Sequence, residues 1–401
     1  MRVLFICHRF PFPPKRGGKI RPFNIIDHFT RSGHEVTVCS LARDPAEAED
    51  GKGLEQHCKH FEVSVTGRVL PALRMVARLP TLVPSSMGYF YTRELQQRVN
   101  RQLQDNDYDL IFVHCSSVAQ FVNKVTGIPK ILDFGDMDSK KWQIYSSFKP
   151  FPLSWGYWYE GIKLERAEKQ LARQFDLCTC TTKAELETLD SYSAARQTDW
   201  FPNGVDAIYF KPLGTSPRPT AIGFVGRMDY YPNQRGMLDF CADVLPLLQQ
   251  EKPDLELFII GAEPSAAIRE LGQLRGVTVT GSVDDIRPHV QLCQLTVAPL
   301  AIARGTQNKI LESMAQGVPV VCSPEAAGGV DAEPERHLLV ASTPTEYCTQ
   351  IMRLLKDPDF RNTLSEQGRQ RALSHHDWAH SMQRLDQIVQ KLVGNSERAP
   401  T

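Results

Sequence analysis

The sequence lacks an excess of charge of either sign. Its 46 Lys and Arg residues cancel its 46 Asp and Glu residues, which excludes a global field for drawing in nucleic acid or an anionic membrane. Any such attraction must be local, and no nucleic-acid partner is expected. A long apolar run is also missing. The opening MRVLFIC is broken by His8 and Arg9, short of a signal peptide or a membrane helix, so the expected place of work is the cytoplasm. The ten cysteines show no paired CxxC spacing, which argues against a zinc site. Most fall in apolar strand-like runs, where a reduced thiol packs as a small hydrophobe. The cluster His57-Cys58-Lys59-His60 offers potential ligands too close together for tetrahedral geometry and reads as a polar surface loop. No metal or other cofactor is expected.

What is present is enough apolar material for a large core. The 401 residues are 42% hydrophobic and 23% charged, which suits two α/β domains. Residues 2–6 form a short strand-like run, followed by a Pro- and Gly-rich loop over 11–18, an amphipathic helix over 19–31 and a second strand at 36–40. This is a βαβ unit with a long first loop, placed where α/β folds bind ligands, at the carboxyl ends of strands. Further strand-like runs at 111–114, 130–133 and 177–181 continue a parallel sheet. A turn cluster, FPNGVD at 201–206, and a Pro/Gly/Ser/Thr-rich stretch at 211–219 mark a boundary. The alternation then restarts, with strands at 222–225, 255–260, 277–280, 295–299 and 318–322 and helices near 235–250 and 307–316. The expected organisation is a domain over 1–205, a second over 206–376, and a helix and polar tail over 377–401. Trp378, Met382, Leu385, Ile388, Val389 and Leu392 fall on one stripe of that helix, which is expected to pack across the domain junction.

Residues 68–93 mix Leu, Val, Met, Phe and Tyr with Arg68, Arg74, Arg78 and Arg93 and carry no acid. They read equally as an amphipathic helix capping the sheet or as a peripheral membrane contact. Trp155, Tyr157, Trp158 and Tyr159 raise the same alternative, and there a packed interdomain cluster is the expectation.

The segment ARGTQNKILESMAQGVPVV at 303–321 places a strand, a glycine turn, a helix and a further strand in succession. The free N–H groups at the start of that helix, near Gly305 and Thr306, are positioned to receive a pyrophosphate. Lys309 adds a positive charge. Glu312, on the same helical face, is a carboxylate able to accept from a ribose diol, although by spacing alone Lys309 and Glu312 read as a solvated ion pair. Residues 223–227, GFVGR, end another strand in glycine and then Arg227, a cation able to fork onto phosphate oxygens. GSVDD at 281–285 supplies a third turn, whose main chain could meet a base.

With these residues in place, the chain resembles glycosyltransferase family 4. NGVD at 203–206 is similar to that family's interdomain motif. FVGR at 224–227 with Pro232-Asn233, GSVDD, and GVPVV at 317–321 match as well, so the resemblance covers nearly the whole chain. DFGDMDSKKW at 133–142 is most similar to sugar transferases of exosortase and exopolysaccharide loci. The resemblance implies an α/β GT-B fold of two Rossmann-like doubly wound domains facing a central cleft. It also implies transfer of a sugar from a nucleotide-sugar donor to a saccharide or lipid-linked acceptor, with retention and without an obligatory metal. Arg227 and Lys309 would hold the pyrophosphate and assist its departure, and Glu312 would bind the donor ribose. Gly281 and Val283 would join the donor site. Arg304 stands where relatives often carry a glutamate, which adds positive charge beside the phosphates.

In the first domain, Gly17 and Gly18 allow close approach to a ligand, with Lys15, Arg16, Lys19 and Arg21 around them. In the family this loop faces the donor phosphate and the acceptor. Asp133, Asp136 and Asp138 repel one another in a short run, which favours a raised pKa in one of them. Asp136 is the expected acid or base, with Lys19, Arg21, Asp133 and Asp138 on the acceptor side. Helix capping and pairing with Lys140 and Lys141 is the alternative. Two other functions fit the same donor site: a GT-B epimerase, with an acid/base pair and no acceptor groove, and a non-catalytic sugar-nucleotide sensor.

Overall fold

A computed structural model of the chain describes residues 1–14, 17–67 and 69–396. Lys15, Arg16 and Arg68, named above, lie outside the described residues, as do 397–401 of the polar tail. The chain divides into two compact units. One is Met1–Pro202 with the chain from Met382 onward, and the other is Asn203–Ser381.

The first unit holds seven parallel strands: β1 (Arg2–Cys7), β2 (Glu35–Ala42), β3 (His60–Val65), β4 (Leu110–His114), β5 (Lys130–Gly135), β6 (Leu177–Cys180) and β7 (Thr198–Trp200), in the order β3-β2-β1-β4-β5-β6-β7. The central strands β1, β4 and β5 are buried almost throughout, as expected of a sheet covered by helices on both faces. The order reverses at β1 and β4. In doubly wound sheets the crevice at the carboxyl ends of such a pair receives the ligand.

The second unit repeats the plan with β8 (Ala221–Val225), β9 (Glu256–Ile260), β10 (Val277–Gly281), β11 (Leu295–Ala298), β12 (Val320–Cys322) and β13 (Leu339–Val340), all parallel, in the order β10-β9-β8-β11-β12-β13. Its reversal lies between β8 and β11. A core centred on Phe224, Leu257, Val297 and Leu311 fills much of it, beside a smaller cluster of Val225, Ile260, Val290 and Val318.

The strand runs read from sequence are the inner strands and one edge strand, β10. β3, β7 and β13 were not anticipated, and all three are edge strands, where a weaker apolar pattern suffices. His60 opens β3, and Cys58 beside it is buried with its thiol on the Leu54 carbonyl, so the cluster at 57–60 is not a surface loop as a whole. The helix expected at 235–250 is present as Tyr231–Asp239 running through a wider turn at Phe240–Val244 into Leu245–Glu251. The last helix spans Trp378–Ser396. Its apolar stripe is buried from Met382 to Leu392. Within the first unit it is fixed by Arg384 donating to Asp199 at 3.0 Å and by His28 against Asp386 at 2.8 Å. At its start, within the second unit, Trp378 lies against Gly204, where a Cβ would come within 2.6 Å of the indole. Val205 N–H donates to the His376 carbonyl at 2.6 Å. The glycine of NGVD is therefore a packing requirement.

Candidate functional site

In the second unit the chain leaves β8 through Gly226. A Cβ there would sit 2.6 Å from Asn233 Nδ2 and 3.2 Å from Lys309 Nζ, so the missing side chain lets those two groups close over the strand end. Asn233 Nδ2 donates to the Arg227 carbonyl at 2.8 Å, and its Oδ1 accepts from Lys309 Nζ at 2.5 Å. The Lys309 ammonium also lies 4.5 Å from the centre of the Phe224 ring, a cation–π contact. Lys309 thus bonds Asn233, and the solvated Lys309–Glu312 ion pair does not form. Removal from water pushes Lys309 down to about 7 and Glu312 up to about 7, because burial penalises each charged form. No described residue donates a hydrogen bond to the Glu312 carboxylate. It stands one turn into the Asn308–Ala315 helix, beside the β8–β11 reversal.

The loop ahead of this helix turns at Gly305, whose φ is +67°, a left-handed conformation natural to glycine. Gly329 packs on the Gly305 carbonyl, where a Cβ would approach to 2.2 Å. Gln307 Nε2 donates to the Arg304 and Gly305 carbonyls at 3.3 Å each, fixing the loop. Gln307 gives the helix no side-chain cap, so its first N–H groups remain available. The Thr306 Oγ1 and Asn308 Oδ1 atoms beside them are buried without a partner among the described residues. Unmatched buried polar atoms at a helix start fit a ligand that brings the missing partners. Arg304 is half-buried in the same loop.

Arg227 departs from the expected arrangement. Its guanidinium is spread on Asp229, with Nε to Oδ1 at 3.0 Å and Nη2 to Oδ2 at 2.9 Å, and it also meets the Glu263 carboxylate. The cation expected beside Lys309 is therefore held by two carboxylates, and Asn233 takes the place next to Lys309. The reason is local: Asp229 follows Arg227 by two residues, and Glu263 lies in the loop after β9, so both carboxylates reach the guanidinium. Gly281, with φ +68°, ends β10 and has open space where a Cβ would stand. Val283 packs partly on Val225, Ile260, Val290 and Val318.

In the first unit, β1, β4 and β5 deliver His8, His114 and Asp133 to neighbouring strand ends. His114 Nδ1 lies 2.7 Å from Asp133 Oδ2, and the His8 and His114 rings are 5.8 Å apart. Asp133 is fully buried and accepts from Arg21 Nε at 2.8 Å, Arg21 Nη2 at 2.9 Å and Thr179 Oγ1 at 2.9 Å. Despite its burial, the Arg21 charge and these bonds hold its carboxyl well below the usual carboxylate range. Arg21 also donates to the Phe201 carbonyl at 3.0 Å and lies over the Phe201 ring. Lys19 is buried on Glu47 at 2.7 Å. Lys19, Arg21 and Asp133, expected on the acceptor side, thus each hold an interior partner.

Asp136 and Asp138 remain near the strand end. Both are drawn above the ordinary carboxylate range, chiefly by burial, and Lys141 opposes the shift in each case. The expected cause, mutual repulsion along the run, is a smaller contribution. Asp136 accepts from Thr181 Oγ1 at 3.0 Å, and Asp138 opens the Asp138–Ser147 helix. Lys140 pairs with Glu165 at 2.9 Å and not with the aspartates. His8 is kept neutral by burial and by the nearby charges of Arg9 and Lys141, and its Nδ1 is buried without a partner among the described residues. Gly17 and Gly18 are exposed at the start of the Gly17–Arg31 helix, and a Cβ on Gly17 would touch nothing. Packing therefore does not require glycine at 17. His8, His114 and Asn233 were missed as site residues. Their signal was positional, since each histidine directly ends an apolar strand run in the first sheet.

Two parallel doubly wound units, the second with a cation, a carboxylate and an uncapped helix start at its strand-order reversal, define a GT-B glycosyltransferase. Comparison with known proteins agrees. Residues 16–208 match the model described as Glycosyltransferase Family 4, and residues 219–357 match Glycosyl transferases group 1. Sucrose-phosphate synthase from Thermosynechococcus elongatus superposes with a TM-score of 0.74 at 16% identity, over 98% of this chain and all of that one. Anabaena HepE in complex with UDP gives 0.69 at 18%, over 98% and 100%. An uncharacterized 44.6 kDa protein in the cps region of Klebsiella pneumoniae is 18% identical over 89% of this chain and 91% of its own. The chain belongs to the family 4 glycosyltransferases.

Proposed function

We propose that this enzyme moves a sugar, with retention at the anomeric carbon, from a nucleotide-sugar to a saccharide or lipid-linked acceptor in exopolysaccharide synthesis. The observation that carries the donor site is the Lys309, Glu312 and Thr306 constellation at the β8–β11 reversal. There the helix N–H groups and the Thr306 hydroxyl receive the diphosphate, Lys309 neutralises charge as it leaves, and Glu312 accepts from the ribose diol. Arg227 joins by exchanging Asp229 and Glu263 for phosphate oxygens. His114, oriented by Asp133, and Asp136 serve the reacting sugar and the acceptor. HepE, a structural neighbour, binds UDP and UDP-glucose, and a relative is encoded in a cps region, which supports a sugar nucleotide and a surface-glycan role. A lipid-linked acceptor would put the work at the inner face of the cytoplasmic membrane. The reaction needs no metal, so a chelator leaves it unchanged.

The test is a thermal-shift screen against UDP-, GDP-, ADP- and dTDP-sugars, repeated on Glu312→Ala. One donor stabilises the wild type and the variant loses most of that shift. If no nucleotide-sugar stabilises the wild type, the donor site is wrongly assigned. Anomeric configuration of the product, read by NMR, decides retention.

A further inference from the structure

Two segments of the first unit expose large apolar side chains. The Val69–Ala77 helix and the turn after it present Val69, Leu73 and Leu82, with Val69 70% exposed. The start of the Leu153–Gln174 helix and the turn before it present Phe151, Trp155 and Trp158, with Phe151 84% and Trp155 59% exposed. The packed interdomain cluster expected for these aromatics is not what the first unit shows. The two segments are joined beneath. Lys163 Nζ donates to the Arg78 carbonyl at 3.3 Å and to Ser85 Oγ at 3.2 Å, and Glu160 accepts from the Ser86 N–H at 3.0 Å. Stacking of Trp155 on Tyr159, at 5.5 Å between ring centres and 2° between planes, braces the aromatic end. Exposed apolar area of this extent is unusual for a surface that meets only water.

Charge tells what covers it. No Asp or Glu occurs in residues 69–93 or 146–159, whereas Arg74, Arg78, Arg93 and Lys149 do. Arg78 Nη1 is buried without a partner among the described residues, an orphaned cationic donor beneath an apolar surface. Cations without acids beside an apolar surface match a bilayer with acidic headgroups, whereas a purely apolar protein partner would leave those charges unmatched. Tryptophan, with an apolar body and one N–H donor, is the side chain that favours the membrane–water boundary.

We propose that this face seats on the surface of an anionic phospholipid bilayer, with Phe151, Trp155 and Trp158 inserted at the headgroup level and the Val69–Ala77 helix lying beside them. The contact is peripheral: among the described residues no helix is long and apolar enough to cross a membrane. It belongs to the first unit and does not depend on the transferase reading.

The experiment sediments the full-length protein with vesicles of phosphatidylcholine alone and of phosphatidylcholine with phosphatidylglycerol, and follows tryptophan emission. The wild type is expected to sediment with the anionic vesicles, with a blue-shifted emission. Phe151→Ser/Trp155→Ser/Trp158→Ser, at exposed positions, is expected to lose about tenfold or more in partitioning, since binding scales with inserted apolar area. Its thermal shift with a nucleotide-sugar, which reads the second unit, stays as in the wild type. No sedimentation of the wild type, equal binding to both vesicle types, or unchanged binding by the triple variant would each overturn the proposal. So would a wild-type dimer in sedimentation velocity that the variant abolishes, which would assign the face to a second copy.

Discussion

The Arg21 guanidinium closes on the Asp133 carboxylate through two parallel hydrogen bonds, Nε to Oδ2 at 2.8 Å and Nη2 to Oδ1 at 2.9 Å, in a fully buried position. One charge comes from the first helix and the other from β5, so the pair ties the glycine-loop helix to the strand that ends the site. His114 and Thr179 complete the coordination of the carboxylate.

Breaking this pair should unfold the first unit more readily than any surface substitution. Arg21→Ala leaves a buried, unpaired carboxylate, and the expected loss is about 3–5 kcal/mol in urea unfolding. The pH sign follows from the depressed folded-state pKa of Asp133. The contribution is fully present above the ordinary carboxylate range and is lost as pH falls below it. Asp133→Asn should remove that part of the acid sensitivity. An Arg21→Ala protein with wild-type stability would show that the pair is energetically idle.

The parts of the fold legible in the sequence were those with a local signature. Inner strands read clearly because burial on both faces makes them continuous apolar runs. The 303–321 segment read clearly because a glycine turn, a helix start, Lys309 and Glu312 are neighbours in the chain. What was not legible is long-range pairing. Nothing near Arg21 announces that Asp133 waits 112 residues on, nor that Glu47 claims Lys19. Sequence reasoning therefore counted those charges as available to a ligand. Arg227 was read correctly as a strand-end cation, but Glu263 lies across a different loop and its claim on Arg227 was invisible. His114 was passed over because a histidine ending a strand has chemistry only when its Nδ1 partner is known.

Diphosphate binding should take up a proton. With Lys309 lowered to about 7 by burial, much of it is neutral at pH 7.5, and an arriving diphosphate favours the ammonium. Calorimetry in two buffers of different ionisation enthalpy should reveal net proton uptake by the wild type at pH 7.5 when a nucleoside diphosphate binds. Glu312→Gln removes the one neighbouring charge that raises Lys309, so the ammonium titrates lower than in the wild type and affinity should fall as pH rises through that lowered range. Lys309→Met should abolish that dependence and lower kcat/KM by about 10²–10³. Proton uptake that survives in Lys309→Met would assign the proton elsewhere.

Two glycine substitutions separate stability from function. At Gly261, with φ +151°, a Cβ would lie 1.8 Å from the Gly226 carbonyl oxygen, a backbone clash that no rotamer relieves. Gly261→Ala should cost about 1–3 kcal/mol or more and shift the strand end that carries Arg227. Gly17→Ala meets no atom within 4 Å and has no left-handed φ, so stability should hold or rise by up to about 1 kcal/mol. A glycine loop that takes part in turnover should nonetheless show a lower kcat/KM in this variant. A Gly17→Ala enzyme with unchanged kcat/KM would remove that loop from the reaction.

Asp136 and His114 are expected to act differently on the reacting sugar. Burial holds Asp136 above the ordinary carboxylate range, so the acidic limb of kcat against pH should lie correspondingly high if this carboxyl must ionise. Asp136→Asn should lower kcat by about 10²–10⁴ and erase that limb, while leaving nucleotide affinity intact because the donor determinants sit in the second unit. His114 acts differently. Its Nδ1 donates to the Asp133 carboxylate, which fixes the ring and orients Nε2 for a hydrogen bond to a sugar hydroxyl. His114→Asn should therefore reduce kcat by loss of that orientation while leaving nucleotide affinity intact. An Asp136→Asn enzyme that retains both its rate and its acidic limb would shift the role to Asp138, whose carboxyl is also raised by burial and faces the same Lys141.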